Sequence, residues 1–106
     1  MKLWIDDVRP APEGYVWIRS VSEAHKFIKI YENIYRREQD PFMKIELIDI
    51  DHDAGDYACD GGDYIKLLDW LELTGRNYPI RIHSMNPVGA TNMRAIIERN
   101  GWTEVR

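Results

Sequence analysis

Cysteine is almost absent from this chain: Cys59 is the only one among 106 residues, so no internal disulfide can form. Such sparing use of cysteine is typical of proteins from a reducing compartment, and we expect a cytoplasmic location. No known thiol motif surrounds Cys59, and we do not predict a catalytic role for it.

Long apolar segments are absent as well. The chain begins MKLWIDD, without the apolar segment that follows the basic start of a secretory leader. No run approaches the roughly 20 apolar residues that a membrane helix requires. We therefore expect neither a signal peptide nor contact with a membrane.

Basic residues are in the minority, with 14 lysines and arginines against 18 acidic residues and a net charge of −4. This balance argues against a surface that coats nucleic acid by charge alone, but it leaves room for a local site that binds a phosphate end. Hydrophobic residues make up 44% of the chain, as in ordinary globular proteins. The length predicts a single domain over residues 1–106.

Strand-like and helix-like segments alternate along the chain. Five short runs rich in apolar and β-branched residues predict strands: 3–5, 15–20, 44–50, 78–84 and 103–105. Apolar residues at helical spacing predict three helices: one after Ser20, one over 61–75 and one after Asn86. Ser20 and Glu23 form a capping box, and Pro87 follows Asn86 in the manner of a helix start.

This alternation predicts an α/β fold of the flavodoxin-like type, with a mostly parallel sheet of about five strands in two or three layers. The segment RPAPEG at 9–14 is too short to hold a helix between the first two strands. One face of the sheet, which we expect to be apolar, should then have less helical cover than usual. A homodimer is one way to bury that face.

Three polar clusters follow predicted strands. Asp6 and Asp7 end the first strand, the stretch LIDIDHDAGD ends the third, and His83 with Ser84 ends the fourth. Ligand sites of open parallel sheets lie beyond the carboxyl ends of the strands. If these three strands are neighbours, the clusters converge on one edge.

The acidic residues at that edge predict a cation site. In an extended strand Asp49, Asp51 and Asp53 share one face while His52 points the other way. Carboxylates so close together repel unless a cation or a proton lies among them, and hard oxygen ligands suit Mg²⁺ or Mn²⁺. The alternative is an Asp-rich turn in solvent. The predicted ligands are four carboxylates: Asp6, Asp7, Asp51 and Asp53.

The residues after the fourth strand predict proton transfer and anion binding. The pKa of histidine lies nearest neutrality, so His83 and His52 are candidate general acid and base. The helix start after Asn86 offers backbone N–H groups to an anion. The alternative is a structural histidine beside a helix cap, and His25 is interpreted as structural or exposed. The predicted phosphate-binding residues are Arg9, Ser84, Asn86 and Gly89.

The chain resembles a receiver-type domain in the positions of these polar residues. The resemblance implies that Asp6 and Asp7 are metal-binding acids, Asp51 a phosphoacceptor and Ser84 the switch hydroxyl. The chain resembles more specifically the cyclic-phosphate processing receiver-like family. That likeness rests on LWIDDVRPAP, DIDHDAG and HSMNPVGATNM, at 3–12, 49–55 and 83–93. It implies processing of cyclic-phosphate ends, in RNA repair or conflict.

The sequence also departs from ordinary receivers. It has no helix between the first two strands, no final helix and no lysine after a fifth strand, but it has two added histidines, His52 and His83. A hydrolase needs such proton carriers, whereas a signalling switch needs a stable aspartyl phosphate.

The favoured hypothesis is a metal-dependent phosphoesterase for a small or terminal phosphate, including a cyclic one, of RNA or a nucleotide. Its catalytic residues would be His83, His52 and Asp51. The alternative is a non-enzymatic regulatory module in which Asp51 is the phosphoacceptor. A third reading is a purely structural metal.

Overall fold

The computed structural model describes all 106 residues. Four short strands form the sheet: β1 (Lys2–Ile5), β2 (Tyr15–Ile18), β3 (Leu47–Ile50) and β4 (Ile80–Ile82). Three helices follow the last three of these strands: α1 (Val21–Glu38), α2 (Ile65–Leu73) and α3 (Pro87–Asn100). Two single turns of 3₁₀ helix complete the chain: Pro41–Met43 and Gly55–Cys59.

The strands are all parallel and lie in the order β2-β1-β3-β4. Ile5 of β1 pairs with Ile18 and with Ile50, and Ile50 pairs with Ile82, so the carboxyl ends of the strands are level. The predicted α/β fold with a parallel, flavodoxin-like sheet is confirmed. Strands one, three and four are neighbours, as convergence of the three polar clusters requires.

The predicted fifth strand is the main difference in the sheet. Only one bridge forms, between Ile80 and Glu104. The second helix is also shorter than predicted, because Gly61 and Gly62 have φ values of 110° and 92°, which an α-helix cannot contain.

The helix starts follow the sequence closely. The Ser20 hydroxyl accepts a hydrogen bond from the Glu23 amide at 3.1 Å, and it starts an 18-residue helix. Asn86 caps α3 in the same way through Gly89, with Pro87 in the first helical position. Both predicted N-cap residues are confirmed, since each side-chain oxygen satisfies an amide that the first turn leaves unpaired. The capping box forms only in part, because the Glu23 carboxylate accepts no hydrogen bond from the Ser20 amide.

All three helices pack on one face of the sheet, and the fold therefore has two layers. A core of 19 buried residues joins Leu3, Ile5 and the matching positions of β3 to the apolar faces of the helices. Alternation along the strands sends Lys2 and Trp4 to the other face. None of the helices has the length and apolarity needed to cross a bilayer.

The face without helices is less apolar than the sequence suggested. It carries Lys2, Asp49 and Arg81, and the Trp4 indole N–H donates to the Arg9 carbonyl at 2.9 Å, so the loop after β1 folds across it. The homodimer stays a prediction, with a smaller apolar surface to bury.

Candidate metal and phosphate site

The carboxylates of Asp6, Asp7 and Asp51 meet at the carboxyl edge of the sheet, with an oxygen of each within 4.8 Å of the others. Strand hydrogen bonds place them: the Asp6 amide donates to Ile18, and the Asp51 amide donates to the Ile5 carbonyl at 2.9 Å. Asp6 is fully buried, while Asp7 and Asp51 are half-buried. The structure thus brings together three of the four predicted ligands.

Asp6 is held as a carboxylate by its neighbours. Burial acts to raise the pKa of Asp6, but hydrogen bonds from the Arg9 amide, the His83 ring and the Val8 amide outweigh it and lower that pKa. The two amides lie 2.9 and 3.0 Å from Asp6 Oδ1. This oxygen closes the turn after β1, so one side chain serves both the loop and the cluster.

Asp7 has the opposite electrostatic character. Burial and then the neighbouring charges of Asp6 and Asp51 raise the pKa of Asp7. Its carboxylate lies so close to Gly55 that a Cβ at that position would overlap with it. Like charges that raise the pKa of a neighbouring carboxyl, as they do here for Asp7, are the condition that a divalent cation relieves. The donor set fits a hard cation such as Mg²⁺ or Mn²⁺.

His83 bridges two buried carboxylates. Its Nδ1 lies 2.6 Å from Asp49 Oδ1 and its Nε2 lies 2.9 Å from Asp6 Oδ2. The ring stacks on Trp4 with 3.8 Å between the ring centres and 3° between the planes. The side chain is 9% exposed, and Arg81 lies 3.4 Å from the other oxygen of Asp49. Neither ring nitrogen is free, and this geometry suits positioning of Asp6 better than contact with a substrate.

His52, unlike His83, has a ring nitrogen without a hydrogen-bond partner. Its Nδ1 lies 2.9 Å from Asp53 Oδ1, its Nε2 has no hydrogen-bond partner in the chain, and its side chain is 15% exposed. The ring packs on the first turn of α3, where a Cβ at Gly89 would overlap with it. A histidine oriented through Nδ1 by a carboxylate has the arrangement of a general base.

Asp53 lies apart from the other predicted ligands. It groups with His52 and Asp63 in a second cluster. The sequence argument assumed extended backbone as far as residue 53, but β3 ends at Ile50. Beyond it the Asp51 carboxylate accepts a hydrogen bond from the His52 amide at 2.8 Å, which turns the chain.

The comparisons with known proteins bear on this geometry. The family model for the cyclic-phosphate processing receiver domain matches residues 1–99. The chain belongs to this family. Searches of curated proteins and of solved structures each gave no match. The family places Asp6, Asp7 and Asp51 within a receiver-type domain whose name associates it with cyclic phosphates.

In this receiver domain the predicted phosphate-binding residues are engaged with their own loop. Ser84 Oγ accepts from the Asn86 amide at 3.0 Å, and Asn86 Oδ1 accepts from the Gly89 amide at 3.0 Å. The Gly89 N–H is therefore used by the helix cap and is not available to an anion. The Arg9 side chain is exposed, while its amide and carbonyl hold Asp6 and Trp4.

The predicted site residues did not include Arg19, nor Asp49, although the sequence places Asp49 on one face with other acidic residues. Asp49 holds His83, and Arg19 donates from Nε and a terminal nitrogen to the Asp7 carbonyl at 3.0 and 2.7 Å. A charged residue at an interior strand position was the available signal for Asp49. No sequence pattern indicated Arg19, because only the order of the strands in the sheet brings the end of β2 beside Asp7.

A cavity of about 700 Å³ lies at the opposite, amino-terminal edge of the sheet. Three tyrosines line it together with the Glu32–Arg76 ion pair: Tyr31, Tyr35 and Tyr78. None of the three carboxylates of the cluster, Asp6, Asp7 and Asp51, borders it. The acidic cluster is therefore separate from this cavity, with Asp6 buried and Asp7 and Asp51 half-buried.

Proposed function

We propose that this protein is a metal-dependent phosphoesterase acting on a small or terminal phosphate, including a cyclic one. One observation carries the proposal: Asp6, Asp7 and Asp51 meet within 4.8 Å at the ligand edge of a chain from the cyclic-phosphate processing receiver family. These residues would hold Mg²⁺ or Mn²⁺. Such an ion, when bound, polarises a phosphoryl oxygen and acidifies water.

His52 is the better candidate for proton transfer. In hydrolysis of a cyclic ester, water adds to phosphorus, one P–O ester bond breaks, and the leaving oxygen takes up a proton. His52 can accept the water proton at Nε2 and return it to that oxygen, while Asp53 holds Nδ1 at 2.9 Å. Such a step typically contributes about 10²- to 10⁴-fold to rate.

His83 acts in this proposal through Asp6. A carboxylate contacts each ring nitrogen of His83, and Trp4 stacks on one face of the ring. The His83 ring fixes which Asp6 oxygen faces the cluster and contacts one oxygen of each of two buried acids. An oriented ligand loses less freedom when a cation binds, as hydrogen-bonded partners behind metal ligands generally ensure.

The alternative function is a regulatory receiver module with Asp51 as phosphoacceptor. Membership in a receiver family and the position of Asp51 in the cluster favour it. Against it, no hydrogen bond or ion pair joins a lysine to Asp6, Asp7 or Asp51. A structural cation is the third reading.

A substrate screen tests the proposal. Purified protein with Mg²⁺ or Mn²⁺ is assayed against cyclic and linear phosphoesters, and the products are identified by mass spectrometry. We expect turnover of at least one ester that a chelator and Asp51→Asn both abolish. His25→Gln, on α1, serves as the control and should leave turnover unchanged. Cation binding without turnover on any ester would favour the regulatory module.

A further inference from the structure

We propose that Arg19 is a positioning residue that sets Asp7 in the cation site. The inference rests on the proposed metal function and adds to it a residue that directly follows β2, a strand that contributes no ligand. Arg19 is the centre of a cluster that we call the Arg19 stack, formed by Trp17, Arg19 and Tyr57.

The Arg19 stack holds the backbone of the acidic pair. Two guanidinium nitrogens of Arg19 donate to the Asp7 carbonyl at 3.0 and 2.7 Å. The Trp17 indole N–H donates to the Asp6 carbonyl at 2.8 Å. The backbone carbonyls of both residues that follow β1 are therefore held by side chains from β2 and the residue after it. This fixes the backbone positions from which the Asp6 and Asp7 side chains extend.

Two aromatic rings hold the guanidinium itself. Its central carbon lies 4.6 Å from the Trp17 ring centre and 4.7 Å from that of Tyr57. The Arg19 carbonyl accepts from the buried Tyr64 hydroxyl at 2.7 Å. These contacts leave the arginine little freedom, so the hydrogen bonds to Asp7 have a defined direction.

The stack also joins two sides of the site. Tyr57 belongs to the turn Gly55–Cys59, and Gly55 of that turn lies against the Asp7 carboxylate. Arg19 thus holds the Asp7 carbonyl while the turn it supports limits where the Asp7 side chain can go. Asp7 is therefore restrained twice, at its backbone by Arg19 and at its side chain by Gly55.

Arginine is the residue that this role requires. Lysine keeps the charge but offers a single nitrogen, so it cannot reach one carbonyl from two donors or lie flat between two rings. Changing a residue that orients a metal ligand typically weakens metal binding about 10- to 100-fold. We expect that range for Arg19→Lys.

The test compares Mn²⁺ affinity and metal-free thermal stability in the full chain. Arg19→Lys should bind Mn²⁺ about 10- to 100-fold more weakly than wild type, with the metal-free protein still folded. Arg37→Lys, an exposed position near the end of α1, is the matched control and should change neither quantity. Equal Mn²⁺ affinity in wild type and Arg19→Lys would overturn the inference.

A second pair of variants covers loss of folding. Tyr57→Leu removes one ring of the stack and should weaken Mn²⁺ binding, whereas Tyr57→Phe keeps the ring and should not. Equal affinity in these two variants would count against the inference even if Arg19→Lys did not fold. If wild type itself binds no Mn²⁺, both the inference and the proposed function fail. If wild type binds Mn²⁺ and the variants bind it equally well, only the inference fails.

Discussion

Two histidines of this site differ in what their nitrogens contact. His83 has carboxylates at both nitrogens, whereas His52 has one at Nδ1 and nothing at Nε2. We expect His52→Gln to lower turnover by about 10²- to 10⁴-fold with unchanged Mn²⁺ affinity. His83→Gln should weaken Mn²⁺ binding and lower thermal stability, because two buried carboxylates, Asp6 and Asp49, would each lose the ring nitrogen that contacts them.

Titration calorimetry and melting curves separate these effects, and they need no substrate for the His83 variant. If His83→Gln instead lowered turnover alone, with wild-type affinity and stability, His83 would be the proton carrier that the sequence suggested. If His52→Gln kept full turnover, the assignment of His52 would be wrong.

The Asp7 carboxyl gives a dependence on pH. Its pKa is raised above the ordinary 3.8, so the folded protein holds this proton more tightly than the unfolded chain. Ionising Asp7 therefore reduces the free energy of unfolding as the pH rises from 3.8 through the raised pKa. Without divalent cations, Asp7→Asn should be more stable than wild type at pH 7 and lose this advantage at about pH 3.

Adding Mg²⁺ should reverse the order at neutral pH. A ligand that binds only the folded state stabilises it by about 2.7 kcal/mol at a concentration 100 times its Kd. Wild type should gain that stability and Asp7→Asn much less. Thermal melts with and without Mg²⁺ measure both effects, and a variant that is less stable than wild type without Mg²⁺ would contradict the repulsion described here.

At the scale of elements, the first turn of α3 packs on the residue that we assign to proton transfer. Gly89 is buried there, and a Cβ would overlap with the His52 ring. Alanine normally stabilises a helix over glycine by about 1 kcal/mol. Here overpacking should dominate, so Gly89→Ala should cost about 1–3 kcal/mol and lower turnover by displacing His52. Denaturant unfolding measures this change, and a gain in stability would show that His52 does not pack on this turn.

The sequence predicts the elements better than the site. The types of side chain along each segment and the cap residues identify the strands and the helix starts, because both are local patterns. The meeting of Asp6 and Asp7 with Asp51 was inferred from a general rule of parallel sheets, and it required β1 and β3 to be neighbours. Asp53 is misplaced since no local signal shows that β3 ends at Ile50. The role of Arg19 could not be predicted from the sequence, because its contact with Asp7 depends on the pairing of β2 with β1.

In the whole molecule, the three helices cover one face of the sheet and the acidic cluster lies at its carboxyl edge. A phosphorelay receiver would accept a phosphoryl group on Asp51 and keep it. We predict that a small phosphodonor such as acetyl phosphate, with Mg²⁺, leaves the intact mass unchanged. A stable phosphoryl adduct on Asp51, found by mass spectrometry, would support the regulatory module instead.

A bound cation is central to this site, because the assigned roles of four residues all depend on it: Asp6, Asp7, His83 and Arg19. Calorimetric titration of the metal-free protein with Mn²⁺ and Mg²⁺ tests this most directly, with Asp51→Asn beside wild type. We predict saturable binding by wild type and binding weakened by about 100-fold or more in Asp51→Asn, which loses one of three carboxylates. Equal affinity in the two proteins, or no binding by wild type, would contradict the account.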